Sequence, residues 1–487
     1  MKFKGILDIN KDSKEFYKKE KNNESFRNNY HFQPPFGLIN DPNGLSFFNG
    51  EYNIFFQWNP FTCEHKFKHW GLIKTKDFIN YTIPKVVLAP VDYYDKNGCY
   101  SGSAIERNGV LELLYTGNVK DKNGNRLSYQ CAAIMNKDGD VKKLGAVLDS
   151  VPKGYTSHFR DPKVYFKNGK YYFIIGAQTD KLKGRVLLYS SLDMRKWSLE
   201  GEVKTCLENF GYMWECPNIV TLKDKDVLIF SPQGLEKEEF KYQNIYQSGY
   251  IVGKLNYDAL KFNHDEFCEL DMGFDFYAPQ IFEDDKNRIL MIGWMGVPEQ
   301  DEDKHISLKE NWIHCLTIPR ELTLKNNKIY QNPIDEIKQL REKMFFCRDN
   351  FVEESLEFSD INKNSYEFIL DLKDSRNLNF KIEMFKGEGE HFDLYFNDGI
   401  CVISKENILQ GPHGIRKFIL NKSNNLKLHG FIDKSAVEIY INEGEYVLSS
   451  RVFVKMNSTG LKLNGLGEKL NINKLEIWTL KGVNYNE

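Results

Sequence analysis

Three carboxylates stand at matching places in this 487-residue chain: Asp41 in NDPNG, Asp161 in RDPK and Glu215 in ECPN. Taken alone, Asp41 is explained by turn chemistry, because Asp, Asn, Pro and Gly each suit a reverse turn for a backbone reason of their own. Three acids gathered in one concave, partly buried place would repel one another, so stability gives no reason to keep them and function does. Two chemistries use such a set. One is a hard cation held by six or more oxygens; the other is acid–base and nucleophilic work on a neutral substrate. No D-x-D-x-D loop occurs, and the aromatics expected beside the acids, Trp70, Trp214, Tyr277 and Trp294, ligate no hard cation. The expectation is therefore no metal and no cofactor. Aromatic faces beside carboxylates suit a sugar, and glycoside hydrolysis needs one ionised carboxylate and one protonated carboxyl group. Glu215, between Trp214 and Cys216, has the more apolar neighbours and is expected to be the acid. Asp41, among Asn40, Asn43 and the backbone of a glycine-containing turn, is expected to stay ionised.

What brings the three together is a repeat. DPNGLSFFNGEYNIFFQW from Asp41 returns as SGSAIERNGVLELLYTG from Ser101, DPKVYFKNGKYYFIIGA from Asp161, ECPNIVTLKDKDVLIFSP from Glu215 and APQIFEDDKNRILMIGW from Ala278. Each unit is a short strand, a tight polar turn and a second apolar strand. Asn49-Gly50, Asn108-Gly109 and Asn168-Gly169 are hairpin turns by type. A period of about 60 residues, with room for four strands per unit, predicts an all-β chain that begins with a five-bladed β-propeller. A large β-sandwich would not give so even a spacing. In a propeller the first strand of each unit lines a central channel, so Asp41, Tyr100-Ser101, Asp161, Glu215 and Asp275, three residues ahead of Ala278, should ring one end of it.

The predicted organisation is a polar extension over 1–29, the propeller over 30–325, a linker with a short helix over 326–347, and a β-sandwich over 348–487. Alternating segments such as SYEFILDLK, FDLYF and AVEIYI carry the sandwich reading. The acids of DKSAVEIYINEGE form no convergent set by sequence, which suggests a structural or oligomeric role. With 66 basic and 68 acidic residues, a net charge of -2 and 41% apolar residues, nothing recruits nucleic acid. No apolar run approaches a membrane span. The charged N-terminus lacks a secretory core, and nine scattered cysteines form no CxxC pair, so a cytoplasmic protein with reduced thiols is expected. Oligomeric state, monomer or dimer, is left open.

The motifs NDPNG, RDP and EC-P, in that order, resemble the three signatures of glycoside hydrolase family 32, the invertase and fructanase family. FQWNP at Phe56–Pro60, YSGS at Tyr100–Ser103, DFYA at Asp275–Ala278 and GWM at Gly293–Met295 resemble its secondary motifs. Leu38-Ile39 and Tyr100 depart mildly from its usual residues. The resemblance implies that Asp41 attacks the anomeric carbon of a β-fructofuranosyl unit and that Glu215 is the acid and then the base. It further implies that Asp161 binds fructose hydroxyls, with Arg160 holding it ionised. Asn40, Gln57, Ser101 and Asp275 would bind other hydroxyls, Trp70 and Trp294 would shape the fructose pocket, and Tyr100 would stand beside Ser101. Retention would put the Asp41 and Glu215 carboxyls about 5–5.5 Å apart.

CEHKFKHW, Cys63–Trp70, places His65, Lys66 and Lys68 near the rim, either as a solvated loop or as a receptor for a phosphate on the leaving glucose. The segment resembles that of the family's bacterial members acting on phosphorylated sucrose. Fructan hydrolysis or fructosyl transfer would use the same acids. A protein-binding propeller would need no acid ring, and an arabinosidase propeller is disfavoured by RDP and EC beside DFYA.

Overall fold

The structure is a computed structural model describing residues 5–19, 25–361, 364–374, 379–421 and 423–486, and it contains seven β-sheets. Local chemistry sets the hairpins. At Asn49-Gly50, Asn108-Gly109 and Asn168-Gly169 both residues have positive φ (54° and 77°, 53° and 75°, 49° and 79°). That is the geometry whose twist matches the flanking strands, and it fixes the pairs Phe48–Glu51, Arg107–Val110 and Lys167–Lys170.

Five sheets fill the N-terminal part. Their first strands are Gly37–Phe48, Gly98–Arg107, Tyr155–Lys167, Met213–Leu222 and Tyr277–Glu283. Each first strand touches the next one along the chain, and the fifth returns to the first. In Gly37–Phe48 only Asp41 and Phe47 escape full burial, because neighbouring first strands cover both faces. Beyond the acids, the opposite ends of these strands surround a cavity of about 590 Å³ lined by Phe47, Ile105, Lys163, Val220 and Phe282 among others.

All five first strands carry a β-bulge at the same place: between Ile39 and Pro42, Cys99 and Gly102, Arg160 and Lys163, Glu215 and Asn218, and Tyr277 and Gln280. A bulge inserts an unpaired residue and re-aims its side chain. Three of them hold Asp161, Cys216 and Ala278 at φ of 69°, 47° and 48°. Downstream of the first, Gly44 sits at φ 51°, where a Cβ would lie 2.8 Å from the Phe55 ring. NDPNG is thus a bulged stretch of strand and not the turn its composition suggests, and it has to end in glycine.

Two six-stranded sheets form the C-terminal β-sandwich around a core that includes Phe368, Ile382, Leu394, Leu463 and Ile477. The boundaries differ from the sequence expectation. Lys328–Pro333 is an outer strand of the fifth sheet, Asp335–Leu340 is a 3-10 helix, and Arg341–Glu353 already belongs to the sandwich. Residues 326–347 are therefore mostly strand, and the linker is shorter than expected. The extension over 1–29 contains a helix, Ile6–Lys18. Asn10 of that helix pairs in both directions with the backbone of Val86 (3.2 and 2.6 Å), covering an open strand edge. At the other terminus Asn484–Asn486 leaves the sandwich and pairs in parallel with Asn80–Thr82 of the first sheet.

The two parts are joined by buried charge. Arg320 bonds Glu438 at 2.6 Å and Asp271 at 3.2 Å, and its Nη2 reaches the Ser449 hydroxyl at 2.6 Å. His31 bridges Asp433 and Glu438 at 3.0 and 3.1 Å. The acids of DKSAVEIYINEGE thus do converge, on cations of the other domain.

Candidate active site

The bulges bring Asp41, Asp161 and Glu215 to one end of the ring. Asp41 Oδ1 accepts from the Asn40 amide at 2.9 Å. Its Oδ2 accepts from the Ser101 hydroxyl, from Gln57 at 3.3 Å and from the Cys216 thiol at 3.6 Å. Gln57 also donates to Ser101, which completes a polar triangle across the first two sheets. Burial raises the pKa of Asp41. The bonds from Ser101 and Asn40 oppose that shift, Glu215 adds to it and Lys68 lowers it.

Asp161 Oδ2 accepts from the Cys216 backbone N–H at 3.0 Å, a donor that the bulge turns into the channel. Its own N–H donates to Thr116 Oγ1 at 3.0 Å. Burial and then the Glu215 charge push Asp161 up to about 7, against the pull of Arg160. Arg160 was expected to serve Asp161. Its charge does favour the ionised form of Asp161, while its hydrogen bonds reach across to the next first strand, where Nε and Nη2 grip Glu215 Oε1 at 2.7 and 2.6 Å.

Glu215 Oε2 accepts from the Tyr277 hydroxyl at 2.7 Å and from Gln233 at 2.9 Å. Its surroundings are polar, contrary to the reading from its sequence neighbours. Trp214 points the other way, as strand alternation requires, and stacks on Phe230 at 4.3 Å in the core.

Other expected residues divide. Lys68 is buried, and its ammonium donates to Asn40 Oδ1 and contacts His65 Nδ1 at 3.2 Å. Burial lowers it to about 7 although Asp41 and Glu302 pull upward. His65 is held by Glu302 at 2.8 Å. Lys66 stands outside, 62% exposed and paired with Glu64. Trp70 is fully buried, donates to the Tyr100 carbonyl at 3.0 Å and packs on Phe55 and Tyr115. Trp294 is likewise buried, edge-on to Tyr277 and His314.

Asp275 does not join the ring. Its carboxyl turns to the sandwich, accepting from the Arg451 N–H at 2.8 Å with Lys405 Nζ 3.6 Å away. The bulge of the fifth sheet falls after Tyr277, so Asp275 precedes the channel instead of lining it. Gln233 went unread. It ends the second strand of its unit opposite Met213, three residues beyond Phe230, which holds the place of Gln57 opposite the bulge, so no comparison between units points to it.

A closed set of carboxyl groups, with amide, hydroxyl and guanidinium donors on them, is equipped for glycoside hydrolysis by paired carboxyls. Residues 31–333 match the model of the glycosyl hydrolases family 32 N-terminal domain, and residues 336–479 that of the family's C-terminal domain. The chain belongs to glycosyl hydrolases family 32. It is 42% identical over 465 residues to the sucrose-6-phosphate hydrolase of Bacillus subtilis, covering 94% of this chain and 95% of that protein. To the Klebsiella pneumoniae sucrose-6-phosphate hydrolase it is 39% identical, covering 87% and 88%. The solved sucrose-6-phosphate hydrolase of Lactobacillus gasseri superposes with a TM-score of 0.87 at 31% identity, covering 98% of this chain and 96% of that one. The Bombyx mori β-fructofuranosidase, solved as a variant with sucrose, superposes at 0.84 with 28% identity, covering 99% and 98%.

Proposed function

We propose that this chain is a retaining β-fructofuranosidase that hydrolyses sucrose 6-phosphate, and sucrose, to fructose and glucose 6-phosphate or glucose. The observation that carries the reading is the convergence of Asp41, Asp161 and Glu215 in a chain whose likeness to sucrose-6-phosphate hydrolases runs over nearly its full length. The five sheets with touching first strands are the blades of a five-bladed β-propeller.

Asp41 attacks the anomeric carbon and forms a fructosyl-enzyme. Glu215 protonates the departing oxygen and then activates water. Asp161 holds fructose hydroxyls as positive charge grows on the ring, a role supported by the Cys216 N–H that fixes its carboxyl. Lys68 positions Asn40, and Asn40 and Ser101 orient the nucleophile. A sugar phosphate substrate and nine free cysteines support a cytoplasmic setting.

Two measurements test this. Product analysis on sucrose with and without the 6-phosphate reads the substrate, and equal kcat/KM for both defeats the phosphate preference. With methanol as acceptor, retention gives methyl β-fructofuranoside, and the α-anomer as first product sinks the double displacement. A third result concerns pH. Ser101→Ala removes a bond that lowers the pKa of Asp41, so the acidic limb of kcat/KM moves to higher pH. A limb that stays put or moves down contradicts the role given to Asp41.

A further inference from the structure

One cation at the channel mouth is not used by the chemistry above. Arg126 opens the third strand of the second sheet, Arg126–Met135. Along that strand every second side chain faces the first strand of the third sheet. Ser128 donates to the Ser157 carbonyl at 2.9 Å, and Gln130 to the Phe159 carbonyl at 3.3 Å. By the same period of two, Arg126 lies on that face one step farther out than the acids. Its guanidinium sits 5.9 Å from the centre of the Tyr100 ring. On the facing strand Arg160 donates to His158 Nδ1 at 3.0 Å, which leaves Nε2 as the protonated nitrogen of the neutral imidazole.

Among the described residues the Arg126 backbone pairs with Lys120, but its side chain makes no hydrogen bond and no ion pair. Its charged neighbours are Arg160, which repels it, and Glu215 and Asp161, which attract it. A half-buried guanidinium without a carboxylate partner, beside a second arginine, is costly to keep. A neutral disaccharide offers it little. A phosphate dianion offers oxygens that match the two parallel N–H bonds of a guanidinium. Lys66, in contrast, is already paired and lies on the outside, while Lys68 is turned inward onto Asn40.

We propose that Arg126, with His158 beside it and the Tyr100 ring beneath it, forms a phosphate-binding subsite for a phosphorylated leaving group. The inference rests on the sucrose 6-phosphate reading above and moves the phosphate contact from the His65–Lys68 loop to the seam between the second and third sheets.

The test is the ratio of kcat/KM for sucrose 6-phosphate to that for sucrose, in the wild type, R126Q, R126K and H158Q. Losing a bidentate charge-assisted contact lowers that ratio about 10- to 100-fold in R126Q. R126K recovers part of it, and H158Q lowers it by a smaller factor. Inhibition by glucose 6-phosphate weakens in R126Q by a similar factor, while inhibition by glucose does not follow it. A ratio unchanged in R126Q and H158Q, with both substrates falling together, assigns Arg126 to balancing the acids and overturns the subsite. A wild type that does not prefer the phosphorylated sugar overturns the substrate reading itself, and the subsite with it. Should R126Q melt below the wild type, H158Q and the glucose 6-phosphate inhibition of R126K decide the matter.

Discussion

Asp41→Asn lowers turnover of sucrose 6-phosphate by at least about 10,000-fold, because removing the nucleophile removes the covalent route and leaves only binding and positioning. The variant keeps its fold. Asn fills the same space, can still meet Ser101 and Asn40, and relieves a buried acid whose ionisation Glu215 opposes. Its thermal midpoint therefore equals or exceeds that of the wild type, and circular dichroism melts beside initial rates separate lost chemistry from lost structure. Glu215→Gln is the companion. It cripples hydrolysis of sucrose 6-phosphate, whereas an aryl fructoside whose leaving group needs no proton still releases its aglycone in a first-turnover burst, after which the fructosyl-enzyme persists for want of the base. A first step slowed equally on both substrates, with no aglycone burst, would remove the acid role from Glu215, and an undiminished rate in Asp41→Asn would remove the nucleophile.

Arg320→Met destabilises the protein by about 3–5 kcal/mol, since it strands two buried carboxylates, Asp271 and Glu438, without their shared cation. The matched control is the exposed Lys325–Glu443 pair, where removing Glu443 costs about 1 kcal/mol or less. Urea midpoints at pH 7 measure both, and similar small shifts would deny the Arg320 cluster its place as the joint between domains. The cluster also fixes a pH dependence. Burial alone would raise Glu438, but Arg320 and His31 outweigh it and hold the acid at about 2, below its ordinary 4.5. A carboxylate depressed in the folded state stabilises above its unfolded pKa, and that contribution is lost as pH falls from about 4.5 towards 2.

The same buried charge explains how two folding units act as one body. Asp433 accepts the backbone N–H groups of Asn29, Tyr30 and His31, so the entry to the N-terminal domain is pinned to a sandwich hairpin. Asp275, which resembles a site residue by motif, works on this seam through Arg451 and Lys405. A motif match carries residue type and order; which way a side chain turns depends on where the bulge falls.

The sequence by itself determined what is local or periodic. Asn-Gly pairs specify two-residue hairpins because both residues tolerate positive φ. The even spacing of those hairpins announced a repeated sheet unit, and equivalent positions in repeated units meet by symmetry. That is why Asp41, Asp161 and Glu215 could be grouped on paper, although the registers set them at successive steps, with Glu215 just before its bulge, Asp161 first within its own and Asp41 second. What needed the tertiary structure was every contact between units. Arg160 hydrogen-bonds Glu215 while acting on its neighbour Asp161 through charge alone, Lys68 turns inward while Lys66 stays in solvent, and Arg126 reaches the mouth from a strand two removed from any motif. Such pairings depend on strand twist, on the placement of five bulges and on which side chain finds an opposite charge across a gap. Those are distances between chain segments far apart in sequence, and no pattern along the chain encodes them.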